Sequence, residues 1–255
     1  MINERIPALF IGHGSPLNAI EENEYNRTWH HIGKSIPTPN AILSISAHWQ
    51  TKKISITGDQ HPQTIHDFWG FPQELFAVEY RAPGSVDLVE RVKQILPEAE
   101  VDQKWGLDHG TWAVLNPMFP EANIPVVQLS LAQSLGFEAH YAIGQALRPL
   151  RDEGVLILGS GNLVHNLREA VFRDAGFDWA VEYDGMVKEW LMNRENDKVI
   201  GINGHGKAAM LSVNSGEHYI PLLYALGVSD PDEPIQFFSE KVTLGSISMR
   251  CVKFG

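Results

Sequence analysis

The chain has 255 residues, 44% of them hydrophobic, and carries a formal net charge of −11. That length can bury a full core, and one domain over residues 1–255 is expected. The acidic balance leaves no basic surface to neutralise phosphates, which excludes nucleic acid and anionic membranes as partners.

In chain order, residues 1–7 lack the apolar core of a signal peptide, and no later stretch approaches the roughly 18 apolar residues of a membrane span. A cytoplasmic protein is expected. Apolar runs at Ala8–Ile11, Ala41–Ile45, Val126–Leu129 and Val155–Leu158 predict strands. They lack period-two alternation, the pattern of strands buried on both faces, so helices should cover the sheet. Helical spacing recurs from Val86 to Leu96, Phe137 to Leu150, Trp179 to Met192 and Tyr219 to Leu226. Strands alternating with helices indicate an α/β fold with a mainly parallel central sheet. The tail from Ile235 to Phe254, broken by Gly245, predicts two strands joined by a turn and makes the sheet mixed. From Asp59 to Pro83 the chain is rich in Pro, Gly and aromatics without a helical period, which predicts an ordered loop over a pocket. The single cysteine, Cys251, excludes an internal disulfide and reads as a packing residue.

The chemistry is concentrated in histidines at the ends of these runs. His13 follows the first strand between Gly12 and Gly14, and His48 follows the second. His165 follows the fourth through the bend Gly159-Ser160-Gly161-Asn162, and His218 is expected in the first turn of the helix containing Pro221. Imidazole is the commonest protein ligand for zinc and iron, and strand carboxyl ends in such sheets converge on one crevice, so the pattern predicts a metal site. An unliganded turn histidine is the plain alternative at each position. His165 reads as a fourth ligand or as a general base, since an ordinary imidazole pKa suits proton transfer at neutral pH. The bend before it lacks the Gly-Lys-Ser/Thr ending of a phosphate loop. His109, flanked by Asp108, is a second acid or hydrogen-bond donor. Glu217 reads as a capping residue or as a support for its neighbour. Trp49, His66, Phe68 and Trp112 are candidate walls of an aromatic-binding pocket. His30 and His31 read as solvated, while His61, His140 and His205 lack strand-end context.

The segments Gly12-His13-Gly14-Ser15-Pro16, Ser46-Ala47-His48-Trp49, His66-Asp67-Phe68-Trp69-Gly70-Phe71-Pro72, Asp108-His109-Gly110-Thr111-Trp112, Gly159-Ser160-Gly161-Asn162-Leu163-Val164-His165-Asn166 and Glu217-His218-Tyr219-Ile220-Pro221 together resemble the class III extradiol ring-cleavage dioxygenases. The resemblance is to the branch named for 4,5-DOPA dioxygenase extradiol and runs almost end to end in family order. It implies a single α/β domain and one divalent metal per chain held by His13, His48 and His218. It also implies His165 beside the metal as base or additional ligand, and His109 as a donor to substrate. Better-known members use two histidines and a glutamate for Fe(II), whereas His218 stands at the third position here. The branch is associated with zinc, while dioxygenase turnover requires Fe(II), because zinc has no accessible redox change. The expected substrate is a catechol such as DOPA, opened by both atoms of dioxygen to a semialdehyde. A zinc-dependent hydrolase and a non-catalytic zinc-binding protein on the same fold are the rival readings. A homo-oligomer is compatible with the chain.

Overall fold

Four strands of mostly Val, Ile and Leu are buried along their whole length: β1 (Ala8–Gly12), β2 (Ala41–Ser46), β3 (Val126–Gln128) and β4 (Val155–Gly161). In the computed structural model, which describes residues 5–202 and 204–255, they lie parallel to one another in a six-stranded sheet, with β3 at its edge. β5 (Ile235–Phe238) and β6 (Cys251–Phe254) extend it antiparallel, giving the order β3-β2-β4-β1-β6-β5. Residues 1–4, which include most of the segment read for a signal peptide, lie outside the described part.

Alternate residues of the strands feed two separate cores. Phe10, Leu43 and Ile157 pack on one face against Val92 of α2 (Val86–Ile95), Leu147 of α4 (Phe137–Leu147), Val187 of α5 (Asp178–Met192) and Leu223 of α6 (Ile220–Gly227). Leu9, Ile42 and Leu156 pack on the other against Trp29 of α1 (Glu24–Ser35) and Trp112 of α3 (His109–Met118). The fold is therefore the expected single α/β layer structure with a mixed, mainly parallel sheet. Among the described residues no helix is long and apolar enough to cross a membrane.

The elements depart from expectation where local chemistry overrides periodicity. α4 stops at Leu147 because Pro149, which lacks an N–H, starts a separate short helix, Pro149–Asp152. α6 starts at Ile220, so His218 lies in the preceding turn rather than in the helix; Asn162 N donates to its carbonyl at 2.8 Å and ties that turn to the end of β4. The tail holds four strands, because Val242–Thr243 and Ile247–Ser248 form their own ribbon around Gly245, whose φ is +77°. α1 and α3 are additional helices, capped by Asn23 and Asp108. His30 of α1 is not simply solvated, since its Nδ1 lies 2.9 Å from the Pro117 carbonyl.

The register levels the carboxyl ends of the central strands: Gly12 faces Gly161, and Ser46 faces Ser160. Residues following those positions must emerge on one rim. This is the geometric reason for the site.

Candidate metal centre

His13 leaves β1 with its N–H on the Gly161 carbonyl at 3.0 Å, and the chain then turns through Gly14 at φ +58°. That left-handed value suits glycine. Gly161 is needed for a different reason: a Cβ there would stand 2.1 Å from the His218 carbonyl, so only glycine lets the two turns meet. His48 leaves β2 two residues after Ser46, whose Oγ accepts from the His48 amide at 3.2 Å.

His13, His48 and His218 converge, with one nitrogen from each ring within 4.8 Å of the others. Hydrogen bonding shows which nitrogens face inward. Ser160 Oγ lies 2.9 Å from His13 Nδ1, and Glu217 Oε1 lies 3.0 Å from His218 Nδ1, leaving both Nε2 atoms to the centre. His48 Nε2 is 3.3 Å from His13 Nε2. Two neutral imidazole nitrogens gain little from facing each other, but two ligands at ~2.0–2.1 Å from a tetrahedral ion stand about 3.3–3.4 Å apart. His218 Nε2 is buried without any partner. An orphaned nitrogen in an all-nitrogen donor set is what a divalent metal satisfies, so the residues present fit one.

Burial first, then the neighbouring imidazoles, holds the pKa values of His13 and His218 well below the ordinary histidine value. Burial and then His109 bring His48 down to about 3. The rings are thus neutral at pH 7, the form in which imidazole binds metal.

His165 stacks on His218, with centroids 3.5 Å apart and planes at 7°, and its amide donates to the Ser212 carbonyl at 3.0 Å. It groups with Glu217 and His218, and not with His13 and His48. Burial lowers its pKa to about 4 against the opposing pull of Glu217. His109 stands at the start of α3, its centroid 3.9 Å from that of His48. The structure also brings in Asp67, which the sequence presents only as one residue of the 66–72 motif. Its Oδ1 accepts from the His109 amide at 3.0 Å and lies 2.9 Å from His109 Nδ1, while Oδ2 is 3.7 Å from His48 Nδ1. Burial opposes the Asp67 charge, yet the contacts from His109 outweigh it and hold the carboxyl below its usual range. Glu217 acts on the outer nitrogen of His218, not as a helix cap, because the cap residue is Tyr219.

The expected aromatic walls separate into two sets. Phe68 stands edge-on to His109 at 5.5 Å. Trp112 is fully buried with its indole N–H on the Ile65 carbonyl, and Trp49 is buried against Trp105 with planes at 5°. His66 is held by the Val78 carbonyl at 3.0 Å. Trp49 and Trp112 therefore support the rim from beneath, and Phe68 alone of the four touches a histidine of the centre. A cavity of about 500 Å³ lies beyond Glu217, lined by Gln50, Phe137, Glu138 and His140, and none of the three converging histidines lines it. Cys251 is buried, as packing requires.

Residues 7–253 match the family described as the catalytic LigB subunit of aromatic ring-opening dioxygenase. The chain is 42% identical over 263 residues to a 4,5-DOPA dioxygenase extradiol of Escherichia coli strain K12, covering 100% of this chain and 97% of that protein. It is 36% identical over 255 residues to a protein of the same name from Beta vulgaris, covering 96% and 95% respectively. A solved structure of an uncharacterized protein from Escherichia coli K12 matches with a TM-score of 0.84 at 37% identity, covering 98% of this chain and 100% of that one.

Proposed function

This chain belongs to the family of the catalytic LigB subunit of aromatic ring-opening dioxygenases, and from that premise we propose that it opens a catechol ring by extradiol cleavage. One divalent metal per chain is held by His13, His48 and His218. The observation that carries this reading is the convergence of three neutral imidazoles with His218 Nε2 buried and unpaired. The catalytic domain runs the length of the chain, residues 1–255, and the work is cytoplasmic, on a small aromatic diol and dioxygen. DOPA is the first substrate to try, because relatives from a bacterium and from plants carry it in their names.

Held by His13, His48 and His218, a redox-active ion such as Fe(II) would supply the electron-transfer chemistry that ring opening by dioxygen needs, which zinc would not. The chain's own residues do the rest. His165 is neutral and takes a proton from one catechol hydroxyl, and its stacking on His218 sets it beside the metal position. His109 presents Nε2 to the ring, because Asp67 lies at Nδ1. Phe68 orients the substrate's aromatic face against His109. Both dioxygen atoms end in a ring-opened semialdehyde.

Anaerobic reconstitution with Fe(II) or zinc, followed by oxygen uptake on a panel of catechols, tests the reading. Uptake with Fe(II) and a matching semialdehyde absorbance are expected. A protein that binds metal stoichiometrically, consumes no oxygen with any catechol and hydrolyses an ester or amide would overturn it in favour of the zinc hydrolase.

A further inference from the structure

Each of the three converging histidines has an oxygen near its outer nitrogen, but the three contacts are unequal. Ser160 Oγ is 2.9 Å from His13 Nδ1 and Glu217 Oε1 is 3.0 Å from His218 Nδ1, both at hydrogen-bond distance. Asp67 Oδ2 is 3.7 Å from His48 Nδ1, beyond that distance. The same carboxylate spends its other oxygen on His109, from the backbone amide at 3.0 Å and beside Nδ1 at 2.9 Å. The second of those contacts is not aligned. His109 Nδ1 is buried yet makes no hydrogen bond, although an acceptor is within reach.

We infer that Asp67 is a positioning residue shared between His48 and His109, coupling the metal-binding ring to the ring that faces substrate. The inference rests on the roles proposed above for those two histidines. Its chemistry is simple. One carboxylate faces two imidazoles whose centroids are 3.9 Å apart, and a small rotation of either ring brings its Nδ1–H into line with an oxygen. Catalytic hydrogen bonds that are long or poorly aligned in a free enzyme commonly tighten in its substrate complex. An acceptor behind a metal-bound imidazole fixes its tautomer and ring angle and makes it a better donor to the metal. The same acceptor behind His109 fixes Nε2 toward substrate.

Placement in the chain adds a second consequence. Asp67 belongs to the 59–83 loop, between Ile65, whose carbonyl holds the Trp112 indole at 2.8 Å, and Phe68, which packs on His109. The carboxylate is therefore delivered by a loop anchored to α3 on both sides. The contact to His109 is a property of that loop's fold and not of the sheet.

The test uses Asp67→Asn, which keeps the shape and the acceptor for the His109 amide but accepts from one imidazole at most. Two readouts are independent. Cobalt titration of the metal-free protein, followed by visible absorption, should show affinity lowered about 10-fold and a shifted spectrum; outer contacts to metal ligands are worth roughly 10- to 100-fold. In the Fe(II) enzyme kcat should fall about 10- to 100-fold with KM changed less than about 3-fold, and in the His109→Gln background Asp67→Asn should cost clearly less than it does alone, because only its effect through His48 is left. Fully additive losses in the double variant would show that Asp67 does not act through His109. Unchanged cobalt affinity, spectrum and kcat with a lowered Tm would reduce Asp67 to a loop anchor. If no catechol is turned over by the unaltered enzyme, the catechol reading fails, and the cobalt titration still decides the His48 half of the coupling.

Discussion

The two ends of the central sheet treat buried polar groups in opposite ways. At the amino-terminal end of β1 and β4, Arg151 is 1% exposed, and every nitrogen of its guanidinium donates: to the carbonyls of Ile6, Val228 and Phe254 and, at 2.7 Å, to Glu233 Oε2. At the carboxyl end, imidazoles crowd together, and His218 Nε2 and His109 Nδ1 are buried with no hydrogen bond. A saturated buried cation ties strands together; at the carboxyl end the unpartnered nitrogens belong to rings that crowd towards one point, which is where something that is not protein fits. One sheet thus carries a hydrogen-bonded cation at one pole and a cluster of converging imidazoles that could hold a metal at the other, where strand carboxyl ends form the crevice.

That contrast breaks most visibly if metal content does not depend on the carboxyl-end rings. His13→Ala, His48→Ala and His218→Ala should each lose most of their metal by elemental analysis and all detectable ring cleavage, while remaining folded by circular dichroism. Full metal content in any folded variant would remove that residue from the ligand set. His165→Ala should behave differently, with near-normal metal and ring cleavage reduced about 10²- to 10⁴-fold, the range for a lost general acid or base. Matched metal loss in His165→Ala and His218→Ala would instead make His165 a fourth ligand.

The opposite pole is sharpened by Arg151→Met. It removes the Arg151 donor from Glu233 Oε2 and from three carbonyls and should cost about 3 kcal/mol, the low end for breaking a buried pair because Glu233 keeps the Asp230 amide at 3.0 Å, Arg5 nearby and some solvent. Metal stoichiometry should stay at one. Urea unfolding paired with metal analysis checks both halves, and a drop in metal content in the folded variant would mean that the poles are not independent.

The contrast also has a pH signature. His48, at about 3, and His165, at about 4, titrate in the folded chain below the ordinary imidazole value near 6.5. The buried His140 behaves likewise, at about 4. Between pH 6.5 and about 4 the unfolded chain binds protons that the folded one refuses, so stability falls as pH falls through that window. Each such histidine adds a slope of up to about 1.4 kcal/mol per pH unit. Metal-free protein should therefore unfold at markedly lower urea at pH 5 than at pH 7, and equal midpoints would contradict neutral, buried rings.

What could be read from the sequence follows the same division. Buried parallel strands announce themselves as unbroken apolar runs, and His13 and His48 are legible because they end such runs. Their meeting depends on register, Gly12 level with Gly161 and Ser46 with Ser160, which no single run encodes. Asp67 is hidden for a stronger reason. It lies in a loop without periodicity, and its partner His109 is 42 residues away. α1 escapes periodicity because only Trp29 and Ile32 of its 12 residues are buried; its readable signal is the Asn23 cap, whose Oδ1 accepts from the amides of Tyr25 and Asn26. Trp49 and Trp112 sit beside the histidine motifs but pack beneath them, since neighbours in sequence point to different sides of a turn or helix.

The smallest effect separates the aromatic that borders the centre from the one that props it. Phe68 stands edge-on to His109 at 5.5 Å and also packs on Phe71 and Phe76. Phe68→Leu keeps an apolar side chain but loses the ring, and an aromatic contact of this kind is worth about 0.5–1.5 kcal/mol. If the ring holds substrate equally in ground and transition states, KM should rise roughly 3- to 10-fold with kcat unchanged. Trp112→Phe is the control. It abandons the hydrogen bond to the Ile65 carbonyl, one anchor of the loop that carries Asp67, and should lower Tm, with any loss of turnover appearing in kcat through Asp67 and not in KM. A fall in kcat at constant KM for Phe68→Leu would mean that the ring acts on the orientation of His109 and not on the substrate, which would shift Phe68 from the binding surface to the supports.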